Sequence, residues 1–162
     1  MEDRYTIRAK LIQYALEGGS PNGERVLVLS TLIELLRERA KQDPSLSSLY
    51  FAGAEVDHPY FLQTEQVAIG FAILPEDRGR AAQWKRHPHQ TEVILVLEGT
   101  ILLEVNNGTK GEIASTRLGV GDVRLLSPGT CHRVTLGGPS DRKATYLFLK
   151  SNPVAEPRSE EC

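Results

Sequence analysis

Beyond about residue 60 the sequence is a train of short apolar runs cut by turn residues, and this punctuation limits the fold more than any other feature. In residues 67–73, Val67, Ile69, Phe71 and Ile73 alternate with Ala68, Gly70 and Ala72, a period of two that belongs to a strand with one bulky and one nearly bare face. Such a strand is packed closely on both sides. Further runs of strand length lie at 84–89, 92–98, 101–105, 113–118, 123–126, 131–136 and 145–149. Between them stand Gly99-Thr100, Asn106-Asn107-Gly108, the segment 119–122, Pro128-Gly129 and Gly137-Gly138-Pro139. These residue types turn a chain sharply, because they supply positive φ, a fixed φ or a local side-chain hydrogen bond. Many short strands at this spacing predict a mainly β, antiparallel sandwich or barrel.

The first 45 residues have a different period. Ile7, Leu11 and Ala15 recur at helical spacing and predict a helix over 3–16, stopped by Gly18-Gly19. Ser20 as N-cap and Pro21 at the first helical position then open a second helix running to about Lys41. Its apolar stripe is Leu29, Leu32, Ile33, Leu36 and Ala40, with Glu34, Arg37, Glu38 and Lys41 on the other side. Asp43-Pro44-Ser45 breaks it, since proline cannot continue the ladder. The expected organisation is a helical N-terminal extension over 1–45, a β domain over 46–152 and a loose polar tail over 153–162.

Size and charge narrow the function. The 162 residues suffice for one core with a modest extension. A net charge of -2 gives no long-range attraction to phosphate backbones or anionic lipid, so neither nucleic acid nor membrane is the expected partner. Cys131 and Cys162 form no CxxC pair, and disulfides are expected to play no part. The N-terminal stretch lacks a continuous apolar region, and nothing approaches the ~20 apolar residues of a membrane span. A soluble cytoplasmic protein is the simplest expectation.

The candidate chemistry lies on the β region. His87 and His89 occupy alternate positions of one expected strand and leave the same face. Glu92 opens the next strand, where an antiparallel return brings its carboxylate beside them. His132 begins a distant strand and shares a face with Val134 and Leu136. Singly, each of these residues is more often a surface or hydrogen-bonded side chain than a ligand. Together, three imidazoles and one carboxylate suit a divalent transition metal and leave open coordination positions for water or substrate.

This arrangement resembles the two motifs of the cupin superfamily. The first motif, two histidines one residue apart, then a glutamate and a glycine, is matched by His87-Pro88-His89-Gln90-Thr91-Glu92 and, after the strand, Gly99. The second, glycine, proline, glycine and histidine, is matched by Gly121, Pro128, Gly129 and His132. The resemblance covers roughly residues 60–150 and implies an antiparallel cupin (jelly-roll) β-barrel, here preceded by two N-terminal helices. It implies one metal ion, Fe, Mn, Zn or Ni, on His87, His89, Glu92 and His132. The sequence departs from the pattern where only two residues separate His89 from Glu92. Counting back from Glu92 with the family spacing puts the two histidine positions at Lys85 and His87, or at Arg86 and Pro88. The His87/His89 reading is preferred.

Strand parity extends the prediction. Lys85 shares the face of His87 and His89 and is a candidate substrate-binding cation. Ile94 and Val96 line the cavity with Glu92, while Val93, Leu95 and Leu97 point outward and need a cover, either the N-terminal helices or a second copy in a homodimer. Cys131 and Arg133 face away from the site, His58 sits in a loop, and Trp84 packs. Two functions fit: a metal-dependent enzyme of the dioxygenase, isomerase or lyase kind acting on a small oxygen-rich anion, or a non-catalytic small-molecule sensor. A storage barrel is not favoured in so short and charged a chain.

Overall fold

The computed structural model describes residues 6, 7, 10, 29–43, 46–54, 62–74, 82–106, 112–138, 140–151 and 160–162. In chain order the elements are α1 (Leu29–Gln42), β1 (Ser48–Gly53), β2 (Leu62–Gln63), β3 (Val67–Leu74), β4 (Lys85–Arg86), β5 (Glu92–Glu98), β6 (Ile101–Asn106), β7 (Ile113–Leu118), β8 (Val123–Leu126), β9 (Cys131–Leu136), β10 (Ala144–Ser151) and β11 (Glu160–Glu161). One sheet has the order β2-β1-β3-β10-β5-β8, the other β11-β4-β9-β6-β7. Every ladder is antiparallel except the short β1–β2 pairing.

The core between the sheets follows from alternation. Ile94 and Val96 of β5, Ile101 and Leu103 of β6, Val134 of β9 and Tyr146 and Phe148 of β10 are all buried in one apolar cluster. The bare side of β3 is explained by close approach: a Cβ on Gly70 would lie 2.3 Å from the Leu49 carbonyl oxygen and 2.7 Å from Phe148 Cζ. The Phe148 ring, packed edge-on against Tyr50 at 5.0 Å between centroids, occupies the space that small residues leave. The bulky side of β3, Phe71 and Ile73, packs with Leu32, Ile33, Leu36 and Ala40 of α1. Leu32, Ile33, Leu36 and Ala40 of the stripe read from the sequence are therefore on the buried face of α1, and each large aliphatic side chain so covered contributes about 1.5–3 kcal/mol.

Polar contacts fix the helix in place. Arg37 Nη2 donates to Glu98 Oε2 at 2.5 Å and to the Thr145 hydroxyl, while Arg37 Nη1 lies 2.6 Å from Glu34 Oε1. Lys143 Nζ reaches the other Glu98 oxygen at 2.7 Å. Gly99, with φ 70°, makes the β5–β6 turn, and a Cβ there would meet the Lys143 carbonyl oxygen at 2.2 Å.

Four expectations are corrected. The barrel is not closed: no ladder joins the two sheets among the described residues, and β8 and β7 remain at edges. One helix, α1, is defined there rather than two. The expected first helix lies outside the described residues except for helical Thr6, Ile7 and Lys10, and so does the expected start of the second. The cysteines are not separate, since Cys131 and Cys162 form a disulfide with their Cα atoms 6.1 Å apart. The end of the expected tail is also not loose, because Glu160 and Glu161 pair with Arg86 and Lys85 as β11, and Arg86 Nη2 meets Glu160 Oε2 at 2.9 Å. Strand β1 lay outside the expected set. No described helix is long and apolar enough to cross a membrane.

Candidate metal centre

Three elements bring the site together. Glu92 is the first residue of β5, on the inner face with Ile94 and Val96, and its side chain is only 2% exposed. His132 stands on β9 directly opposite Lys85 of β4. His87 follows β4, and its carbonyl accepts a hydrogen bond from Gly129 N–H at 2.8 Å, which ties its turn to the one before β9. The result is a buried group in which His87, Glu92 and His132 each offer a donor atom within 4.8 Å of the others. His132 Nε2 lies 3.0 Å and His87 Nε2 3.5 Å from Glu92 Oε2.

The hydrogen bonds around this group are incomplete in an informative way. Both nitrogens of His87, both oxygens of Glu92 and Nε2 of His132 are buried without a hydrogen-bond partner. His132 Nδ1 lies 3.0 Å from the Thr130 carbonyl oxygen, which can only accept, so Nδ1 carries the proton. In a neutral ring Nε2 is then a lone-pair acceptor facing a carboxylate oxygen, and two acceptors at 3.0 Å need a proton or a cation between them. A divalent metal fits this donor set.

The electrostatics favour ligand-ready states. Burial lowers the His87 pKa to about 4, assisted by the positive charges of Lys150 and Lys85 and opposed by Glu92, so the ring is neutral at physiological pH. Burial resists ionisation of Glu92, yet Lys85, His132 and Lys150 around it outweigh that cost and hold the carboxyl well below its usual range. For Lys85, burial disfavours the ammonium, but Tyr146 and Glu92 more than compensate and raise its pKa. Burial raises that of Tyr146.

The sequence-derived site residues divide at this point. His87, Glu92 and His132 are brought together; His89 is not. The expected strand over 84–89 ends at Arg86, and Pro88 and His89 form a turn in which His89 is exposed. Proline lacks the N–H that a longer ladder needs. The face-sharing pair is instead Lys85 and His87, the alternative that family spacing from Glu92 allowed, and Lys85 Nζ sits 3.7 Å from Glu92 Oε1. Trp84 packs under the Arg133 guanidinium, 4.7 Å from its ring centre. His58 lies outside the described residues. Lys150 was missed: the expected strand stopped at 149, but the inward parity of Ala144, Tyr146 and Phe148 continues to Lys150, whose Cα pairs with that of Glu92. That parity was the available signal.

The described residues thus form two mostly antiparallel sheets with a buried His–Glu–His group on an inner wall. Residues 76–149 match the family model described as cupin domain. Among solved structures it is similar to the DMSP lyase DddQ from Ruegeria pomeroyi, with 21% identity and a TM-score of 0.53 over 70% of this chain and 49% of that one. It is also similar to an uncharacterised double-stranded β-helix protein from Klebsiella pneumoniae (19% identity, TM-score 0.49, 62% of this chain and 78% of that one). A third likeness is to the Cnp3 cupin domain of Schizosaccharomyces pombe (18%, TM-score 0.47, 59% and 63%). The chain spans about half the length of the DMSP lyase it resembles. No curated protein matches it in sequence.

Proposed function

We propose that this cupin is a metal-dependent enzyme of the dioxygenase, isomerase or lyase kind, using one divalent ion (Fe, Mn, Zn or Ni) on His87, Glu92 and His132 to act on a small oxygen-rich anion. The observation that carries the reading is the set of five buried polar atoms on those residues that lack hydrogen bonds. A bound ion supplies Lewis-acid polarisation of substrate oxygens. The protein's own groups do the rest. The Thr130 carbonyl keeps the His132 proton on Nδ1, Lys85 holds Glu92 ionised, and Ile94 and Val96 keep the inner wall dry. Three protein donors leave open positions, the condition for chemistry rather than a purely structural ion. His89, exposed in its turn, is left out of the proposed set.

Purification without a metal-affinity tag, with iron, manganese, nickel and zinc supplied during expression, should give one ion per chain. If none is present in stoichiometric amount the reading is wrong, and a binding module becomes the better description.

The same proposal includes a homodimer. On the outer face Val93 and Leu95 of β5 lie in register with Leu125 and Val123 of β8, which are 62% and 60% exposed, while α1 covers only the Leu97 end. A second copy is the occupant such a face fits by two-fold symmetry. Light scattering that gives a mass near 17.9 kDa at micromolar concentration would overturn it.

A further inference from the structure

We infer that Lys85 and Lys150 together form an anion subsite beside the His87–Glu92–His132 group, so that the ligand is a small carboxylate held by two ammonium groups from opposite sheets. This rests on the proposed metal reading only for where the ligand's second oxygen group goes.

Lys85 belongs to β4 in one sheet and Lys150 to β10 in the other, yet both face the same carboxylate. Lys85 Nζ lies 3.7 Å from Glu92 Oε1, and Lys150 pairs with Glu92 in the β5–β10 register. Lys150 follows the inward residues Tyr146 and Phe148 along its strand, and its Nζ lies 5.2 Å from the Phe148 ring centre, which directs the ammonium along the inner wall. Phe148 and buried Tyr146 make that wall low in dielectric, so charges there act strongly on what enters. Both lysines also bear on His87 and Glu92 electrostatically, which places their charges around the group rather than out in solvent.

The charge balance then selects the ligand. With neutral imidazoles, two ammonium groups face one carboxylate, and a divalent ion raises the excess positive charge further. A neutral sugar or amide gains nothing from that field; a mono- or dicarboxylate does. One carboxylate of such a ligand lies between Lys85 and Lys150, and its remaining oxygens turn toward Glu92's neighbours.

Calorimetric titration of the full chain with acetate, malonate and succinate, with malonamide as the neutral counterpart of malonate, tests this. Each titration is run on metal-stripped and on metal-reconstituted protein. Wild type should bind at least one carboxylate and not malonamide, with affinity that weakens as salt rises. Lys150→Met and Lys85→Met, which keep the aliphatic stem, should each lose about tenfold or more in both forms. Lys150→Arg should retain most of the affinity, and this variant guards against a folding defect in the methionine variants. Metal content of Lys150→Met should equal that of wild type. Equal binding of carboxylate by wild type and Lys150→Met, equal binding of malonate and malonamide, or no carboxylate binding by wild type would overturn the inference. A wild type that takes up no metal but loses carboxylate affinity on Lys150→Met would sink the metal reading and leave the subsite standing. Stoichiometric metal with unchanged anion affinity in the variant would do the reverse.

Discussion

Arg37 and Glu92 are both charged residues set against apolar cores, with side chains 10% and 2% exposed, and their surroundings differ in kind. Arg37 uses its terminal nitrogens on Glu34, Glu98 and Thr145, leaving only Nε unmatched, and its partners come from the helix and from the sheet beneath. Glu92 has both oxygens without a hydrogen bond, and the nitrogens facing it from His87 and His132 are equally unmatched. One cluster closes on itself and docks α1. The other is held open by the fold around it. A buried charge that holds elements together consumes its hydrogen-bonding capacity, whereas an unmatched one keeps that capacity available.

The contrast can be broken most directly at the ligands. His132→Ala should lower metal affinity by more than about 100-fold, from one ion per chain to none by elemental analysis, with an unchanged far-UV circular dichroism spectrum. His89→Ala should keep the ion. If His89→Ala loses it and His132→Ala does not, the site lies elsewhere. Next in size is Arg37→Met, which leaves the buried Thr145 hydroxyl and one Glu98 oxygen without their donor. It should cost about 2 kcal/mol in urea denaturation, discounted for the partial exposure of Glu98, and leave metal content unchanged. Metal loss with undiminished stability would reverse the roles assigned to the two clusters.

Acid sharpens the comparison. His87 titrates at about 4 when folded and near 6.5 when unfolded, so below pH 6.5 the unfolded chain takes up a proton that the folded site refuses. Stability of metal-free protein should therefore fall between pH 7 and pH 5 by roughly 2 kcal/mol at most, and this loss should level off below about pH 4. Glu92, whose folded pKa is depressed, contributes stability that is present above the ordinary carboxyl range and goes only at lower pH. If the group holds an ion, protonation of His87 should compete with it near pH 4 rather than 6.5. His87→Phe should abolish the pH 5–7 slope; a slope that survives it assigns the effect to another group. The smallest effect is expected far from both clusters: Leu125→Ser should change folding stability by less than about 0.5 kcal/mol while halving the mass seen by light scattering.

That His87, Glu92 and His132 come together was legible because they sit in ordered motif positions. His89 was misplaced for a local reason: an alternating pattern was read through Pro88 as strand, but the strand stops at Arg86. The face-sharing residue two positions before His87, Lys85, was identified for its charge and turned out to abut Glu92. Lys150 escaped because its strand was ended one residue early. Arg37 was placed on the outward side of an amphipathic helix, and no helical period can show that a sheet residue reaches up to bury it. The disulfide was invisible for the same reason, since it joins segments 31 residues apart that only tertiary pairing brings together.

Cys131 begins β9, and Cys162 follows β11, which lies across β4 from it. In the folded chain the two sulfurs meet with β4 between those strands, the same placement that sets Lys85 opposite His132. The bond therefore ties the far end of the sequence to a wall of the candidate site. Titrating free thiols in denaturant would count the chains in a preparation that lack this tie.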